Sequence, residues 1–228
     1  MNLLDLSIEV TRKCNLQCPY CLRGNPQRIN VNTKDVDSFF RMNKIHYINT
    51  LTITGGEPLL NPNGINEILH IIERRQIQLG SFYMVSNGTI NPTPILESFG
   101  KLYSRIGDFA LCCIDLSIDN WHENEDRIHP VWNILNHGHR QIDRWDEALA
   151  EGHGKLFNPD GRKVKDNAII YNSKGDIEEG MIYFNAKSQI CLACDWSYDS
   201  QKKVNIGHAL SKKLIDMVKD RGELNDDY

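Results

Sequence analysis

The stretch LDLSIEVTRKCNLQCPYC, residues 4–21, runs from an apolar strand directly into three closely spaced cysteines. Leu4–Val10 alternates, with Leu6, Ile8 and Val10 on one face and Ser7 and Glu9 on the other, the two-residue period of a β-strand. Cys14, Cys18 and Cys21 follow in CxxxCxxC spacing. Three thiolates in a tight loop bring their sulfurs to neighbouring irons of one cubane cluster. Three ligands leave the fourth iron open to a substrate or cofactor, whereas a closed four-cysteine site only transfers electrons. A structural zinc site is the competing explanation. Zinc prefers four protein ligands at paired CxxC spacing, and no fourth ligand stands nearby in the sequence. Three unrelated core cysteines are the remaining alternative.

Outward from this stretch the first half alternates strand and helix. Thr33 is expected to cap a helix with Val36, Phe39 and Phe40 on one face. Thr50–Thr54 is a short β-branched run closed by Gly55 and Gly56, and Ile65, Ile68, Leu69 and Ile72 lie at helical spacing beyond it. Ser81–Ser86 predicts a third strand, Thr93 and Pro94 the opening of a helix toward Arg105, and Leu111–Ile118 a fourth strand. This order predicts an α/β fold, a partial (β/α) barrel of parallel strands with helices outside. Parallel strands covered on both sides are nearly all apolar. Here Ser7 and Glu9, Thr52 and Thr54, and Asp115, Ser117 and Asp119 form polar faces toward the C-terminal strand ends. They are expected to line one shared cavity, because such folds hold their sites at those ends; exposed edge positions are the alternative.

The second half is less regular. His139–Ala150 reads as a helix with Ile142, Trp145 and Leu149 on one side. Residues 167–180 and 182–196 read as two hairpins, the first turning near Ser173–Gly175, and Leu210, Leu214, Met217 and Val218 mark a last helix. The domain division expected is a core over residues 1–150 and a small C-terminal hairpin and helix extension over 151–228.

Bulk properties exclude little. The 228 residues suffice for a sizeable core. A net charge of −4 demands neither a nucleic acid nor an acidic membrane as partner. Asp5 and Glu9 interrupt what would have to be an apolar signal region, and no run approaches the ~18 apolar residues of a membrane span. A cytoplasmic location is therefore expected, with no membrane partner and nucleic acid disfavoured. Seven cysteines in such a chain favour metal or redox chemistry over a disulfide framework.

Over about residues 4–120 the chain resembles the radical S-adenosylmethionine (SAM) superfamily. The resemblance rests on Cys14, Cys18 and Cys21, and on Gly55-Gly56-Glu57-Pro58 one βα unit later. It implies a 4Fe–4S cluster on the three cysteines and SAM as a second cofactor. By the same resemblance Gly55, Gly56 and Glu57 hold the methionine amino group of SAM. Ser86 and Asn87 match a triplet at the end of strand three. Ser117 and Asp119 lie near the ribose and carboxylate, and Tyr20 approaches the adenine. Arg23 is expected to serve the cluster loop, an anionic ligand or the solvated surface. One departure stands out: where many peptide-modifying relatives carry Asp-x-x-Arg after strand four, this chain has Asp126-Arg-Ile-His129.

Residues 183–218 faintly resemble the SPASM/twitch tails of that superfamily, which bind auxiliary clusters. Cys191 and Cys194 supply two ligands, which is too few, so the tail is expected to lack a full auxiliary cluster. Cys112 and Cys113 point to opposite faces of one strand and read as core residues. Five histidines between His122 and His153 include no HExxH and no paired ligand set.

The resemblance implies reductive cleavage of SAM and hydrogen abstraction by a 5′-deoxyadenosyl radical, with a low-potential donor of flavodoxin or ferredoxin type as partner. A peptide or protein side chain is the first expectation for the substrate. A glycyl-radical enzyme, a small metabolite and a nucleoside are the others. A non-catalytic iron–sulfur electron carrier is the reading from a different class.

Overall fold

The computed structural model describes residues 1–108, 111–119, 129–133, 138–142 and 149–223. Nine strands form one sheet among them: β1 (Asn2–Thr11), β2 (Tyr47–Gly55), β3 (Gln78–Ser86), β4 (Cys112–Asp119), β5 (Gly138–Ile142), β6 (Ile170–Tyr171), β7 (Ile177–Phe184), β8 (Gln189–Cys191) and β9 (Gly207–His208). Their order is β5-β4-β3-β2-β1-β7-β8-β9, with β6 paired to β7. The five strands β1–β5 pair in parallel, as expected of βα units, and no closure into a full barrel is seen among the described residues.

Three amphipathic helices cover one side of β1–β4. They are α1 (Thr33–Met42), α2 (Pro62–Arg74) and α3 (Leu96–Ile106). The cap of α1 is Asn32, whose side chain accepts from the Lys34 N–H, rather than Thr33. Asn61 caps α2 the same way through the Gly64 N–H, with Pro62 at the first helical position. Val36, Phe39, Ile65, Ile68, Ile72 and Leu102 from these helices meet Leu6, Ile8, Leu51, Ile53, Met84 and Ile114 in a continuous buried core.

The C-terminal region adds α4 (Gly154–Phe157), α5 (Tyr198–Val204) and α6 (Leu214–Glu223). The expected turn near Ser173–Gly175 is present, with the Asn172 side chain accepting from the N–H groups of Lys174 and Asp176. The tail is not a separate sheet. Strand β7 pairs in parallel with β1, Ser7 beside Tyr183 and Ile8 beside Phe184. Where the helix over His139–Ala150 was expected to begin, residues 138–142 are instead β5, paired in parallel with β4. At Ile142 sheet pairing prevails over the local apolar period, as it can when a strand edge is available. Residues 143–148 lie outside the described set, as do Asp126 to Ile128 of the departure noted above. No helix among the described residues is long and apolar enough to cross a membrane.

Candidate active site

The cysteine loop leaves β1 at Thr11 and returns to the same strand end. Thr11 bridges to Asn30, the Arg12 N–H donates to the Ile29 carbonyl at 2.8 Å, and the Val31 N–H donates to the Val10 carbonyl at 3.0 Å. Inside the closed loop the Cys21 N–H donates to the Cys18 carbonyl at 3.1 Å, and the Gly24 N–H to the Cys21 carbonyl at 3.2 Å. Gly24 sits at φ +78°, a left-handed turn that glycine adopts without strain. Cys14, Cys18 and Cys21 are all half-buried and none is in a disulfide. Burial pushes the Cys14 thiol up, opposed by the Leu16 N–H, which donates to its sulfur at 3.4 Å.

No three His, Cys, Asp or Glu side chains among the described residues form a site for a single metal ion. A cubane makes a different demand, one thiolate on each of three irons. Three thiols outside any disulfide on one loop, with a half-exposed rim and a backbone already hydrogen-bonded, fit that group.

The Gly55–Pro58 turn is locked to this loop through backbone. Gly56 donates to the Thr11 carbonyl at 2.9 Å and Glu57 to the Lys13 carbonyl at 2.8 Å. A Cβ on Gly55 would collide with the Thr11 carbonyl, and one on Gly56 with the Lys13 carbonyl. The two glycines thus make room for the cluster loop itself. Glu57 is almost wholly buried, and its carboxyl group accepts from the Leu59 N–H at 3.1 Å, the Ser86 hydroxyl at 2.9 Å and the Asn87 N–H at 2.8 Å. Asn87 in turn donates to the Asn15 side chain at 3.1 Å, inside the cysteine loop. The structure therefore brings together the cysteine loop, Gly55–Glu57, Ser86 and Asn87. Ser86 lies buried beneath the turn rather than on the polar face.

The polar face is only partly open. Thr52, Tyr83, Cys113, Asp115 and Ser117 are half-buried on it, and the Tyr83 hydroxyl donates to Asp115 at 2.8 Å. Asp119 ends β4, but its side chain lies outside the described set. Ser7 and Glu9 do not face a cavity, because the tail covers them. Glu9 is 0% exposed and pairs with Arg12, 1% exposed, at 2.9 Å. The remaining acceptor sites of Glu9 take the Tyr183 hydroxyl at 3.1 Å and the Ala186 N–H at 2.7 Å. Arg12 also donates to Gln27 and Gln201 and stacks 4.5 Å over the Tyr198 ring. Arg23 is buried too, stacked 5.0 Å over Tyr183 and donating to the Trp196 carbonyl at 2.7 Å. It is neither a solvated cation nor free for an anionic ligand.

Sequence analysis missed this network, since it joins residues 9–27 to residues 183–201, more than 150 positions away along the chain. It also missed the second support of the loop, residues 149–154. His153 donates its N–H to the Cys21 carbonyl at 2.9 Å. A Cβ on Gly152, at φ +53°, would meet the Leu22 and Cys21 carbonyls. The Gly152-His153-Gly154 triplet was the signal that residues here must approach another backbone.

Cys191 is buried beside this network, and burial pushes its thiol up to about 12; burial and Asp195 push Cys194 up to about 11. Cys112 lies in the core between sheet and helices, and Cys113 lies on the polar face.

Comparison with known proteins agrees with this geometry. A family model described as the radical SAM superfamily matches residues 8–171. An uncharacterised protein of Methanocaldococcus jannaschii is 33% identical over 45% of this chain and 36% of its own length. A probable GTP 3′,8-cyclase of Archaeoglobus fulgidus is 35% identical over 50% of the chain and 35% of its own. A GTP 3′,8-cyclase of Mesorhizobium japonicum, 23% identical, is covered over 52% of its length. The chain thus spans about a third to a half of these relatives. Among solved structures, BtrN in complex with AdoMet and 2-DOIA superposes with a TM-score of 0.54 at 14% identity, covering 96% of this chain and 83% of BtrN. Polyhistidine-tagged anSMEcpe with bound AdoMet gives 0.56 at 10% identity, covering 94% and 80%. At such identities the likeness is one of fold.

Proposed function

The chain belongs to the radical SAM superfamily, and from that premise we propose that it takes a hydrogen atom from a polar small molecule held on the polar face of its sheet. The family's cofactors are a 4Fe–4S cluster and SAM. When bound, the cluster supplies the electron that breaks the carbon–sulfur bond of the SAM sulfonium and frees the 5′-deoxyadenosyl radical. Cys14, Cys18 and Cys21 would hold it.

The observation that carries this reading is the backbone lock between the cysteine loop and Gly55–Glu57. It holds the turn against the cysteine loop, and in this reading the turn receives the methionine ammonium group of SAM. Glu57 itself is engaged by Leu59, Ser86 and Asn87, so its part is to position. In this reading Tyr20 approaches the adenine, and Ser117 and Asp119 face the ribose and carboxylate. A flavodoxin- or ferredoxin-type protein delivers the electron. Half-burial of the loop limits the access of water and oxygen to the radical.

A small molecule takes precedence over a peptide because several curated relatives are named as GTP 3′,8-cyclases, certain or probable, and others as molybdenum cofactor biosynthesis proteins. Thr52, Tyr83, Asp115 and Ser117 also offer closely spaced hydroxyl and carboxyl partners, the equipment of a polar ligand site.

Anaerobic reconstitution tests the proposal. About four irons per chain and release of 5′-deoxyadenosine from SAM are expected, as one cubane requires. Replacing Cys14, Cys18 or Cys21 with Ala is expected to abolish both; cleavage that survives any of these changes refutes the assignment. A low-molecular-weight extract should stimulate SAM turnover where peptides do not.

A further inference from the structure

Tyr198 opens α5 in the C-terminal tail, yet it is packed against the cysteine loop at the other end of the sequence. Its N–H donates to the Arg23 carbonyl, two residues past Cys21, at 3.1 Å. Its ring lies beneath the Arg12 guanidinium. The side chain is 2% exposed, and its hydroxyl has no hydrogen-bond partner among the described residues. Such a group is rare, because a buried hydroxyl without an acceptor forfeits its bond to water and gains nothing in return.

The neighbouring acceptors are already engaged. Glu9 receives Arg12, Tyr183 and Ala186, and the Gln201 side-chain oxygen receives Arg12 and Asn185. Burial first, and then the charges of Glu9 and Cys21, push the Tyr198 phenol well up, so it keeps its proton and remains a donor at neutral pH. Cys21 stands two residues before Arg23, whose carbonyl accepts from the Tyr198 N–H.

We propose that Tyr198 is a positioning residue that donates its hydroxyl hydrogen bond to a sulfur of the cluster held through Cys21, and so sets the cluster's reduction potential. The proposal rests on the cluster reading given above. A sulfur acceptor completes a hydroxyl that the polypeptide leaves unsatisfied. A hydrogen bond to cluster sulfur favours the reduced form, which carries the extra negative charge, and therefore raises the potential. The tail thus acts on the site through its tyrosine.

The test is an EPR-monitored redox titration of the reconstituted full chain beside Tyr198→Phe, which keeps the ring under Arg12 and removes only the hydroxyl. Both proteins are expected to carry the same iron content. The variant is expected to shift its reduced-to-oxidised ratio about tenfold toward the oxidised form at any given potential, about 59 mV for a one-electron couple. Equal potentials would overturn the proposal, since a hydroxyl satisfied by a buried water leaves the couple where it was. Should the Phe chain fail to fold, 3-fluorotyrosine placed at position 198 keeps the ring and strengthens the donor. It is expected to raise the potential, and an unchanged value overturns the proposal equally. A wild-type chain that takes up no iron defeats the cluster reading itself, which distinguishes that failure from equal potentials in two loaded proteins.

Discussion

Gly56 is the side chain, or lack of one, on which the site turns. Its φ is not left-handed, so conformational freedom is not what the position requires. What it requires is space, because the Lys13 carbonyl occupies the volume a Cβ would fill. Gly56→Ala must push the cysteine loop away from β2. We expect a loss of about 1–3 kcal/mol, the usual cost of overpacking, read as a lowered denaturant midpoint, together with weaker iron retention. An alanine variant of wild-type stability and iron content would show that the lock is dispensable. Glu57 and Ser86 belong to the same local arrangement: a carboxyl group buried under a turn holds it only while its donors remain, and here three are present.

Among the elements, α1 and α2 are tied outside the core as well as within it. Asp37 accepts from Arg75 at 2.6 and 2.8 Å and from Arg74 at 3.1 Å. The Arg75 hydrogen bond, partly opposed by burial, holds the Asp37 carboxyl below its usual range. A depressed folded-state pKa stabilises the fold above the unfolded value and loses that contribution as pH falls through the folded one. The contribution of this pair is therefore complete at neutral pH and fades below the ordinary carboxylate range near pH 4. The pair is partly exposed, so Asp37→Asn is expected to cost only about 0.5–1 kcal/mol at pH 7. That corresponds to a melting temperature lower by roughly 1–4 °C for a chain of this length. The difference between wild type and variant should narrow in thermal scans as the pH is taken below about 4.

For the molecule as a whole, the decisive feature is that β7 joins β1 and carries residues 185–201 across the end of the sheet beside the cysteine loop. Arg12 and Glu9 are then sealed together away from water. Breaking a buried pair by removing one partner leaves an uncompensated charge, at about 3–5 kcal/mol. Glu9→Ala is expected to destabilise the chain by that amount in chemical denaturation. It should also loosen the tail, seen as faster hydrogen exchange in β7 and β8. A surface-like effect below about 0.5 kcal/mol would mean that the tail does not depend on this pair.

The parallel βα order, the three-thiol loop and the Gly55–Pro58 turn could all be inferred from residue order, because each depends on contacts within one strand, one loop or one βα step. Periodicity, turn chemistry and cysteine spacing are local signals, and the chain states them directly. The fate of Glu9 could not be inferred: a polar residue at a strand end looks the same whether it faces a ligand or a buried arginine, and its partners Tyr183 and Ala186 come from β7 and the turn after it, 174 and 177 positions away. The same holds for Arg23, Tyr198 and the support of Cys21 by His153. It also explains the helix expected at His139–Ala150, where apolar spacing carried no trace of the β4 edge awaiting a partner. Local chemistry thus marked out the cysteine loop, and long-range packing determined what encloses it, since burial depends on which distant segments meet rather than on the residue being buried.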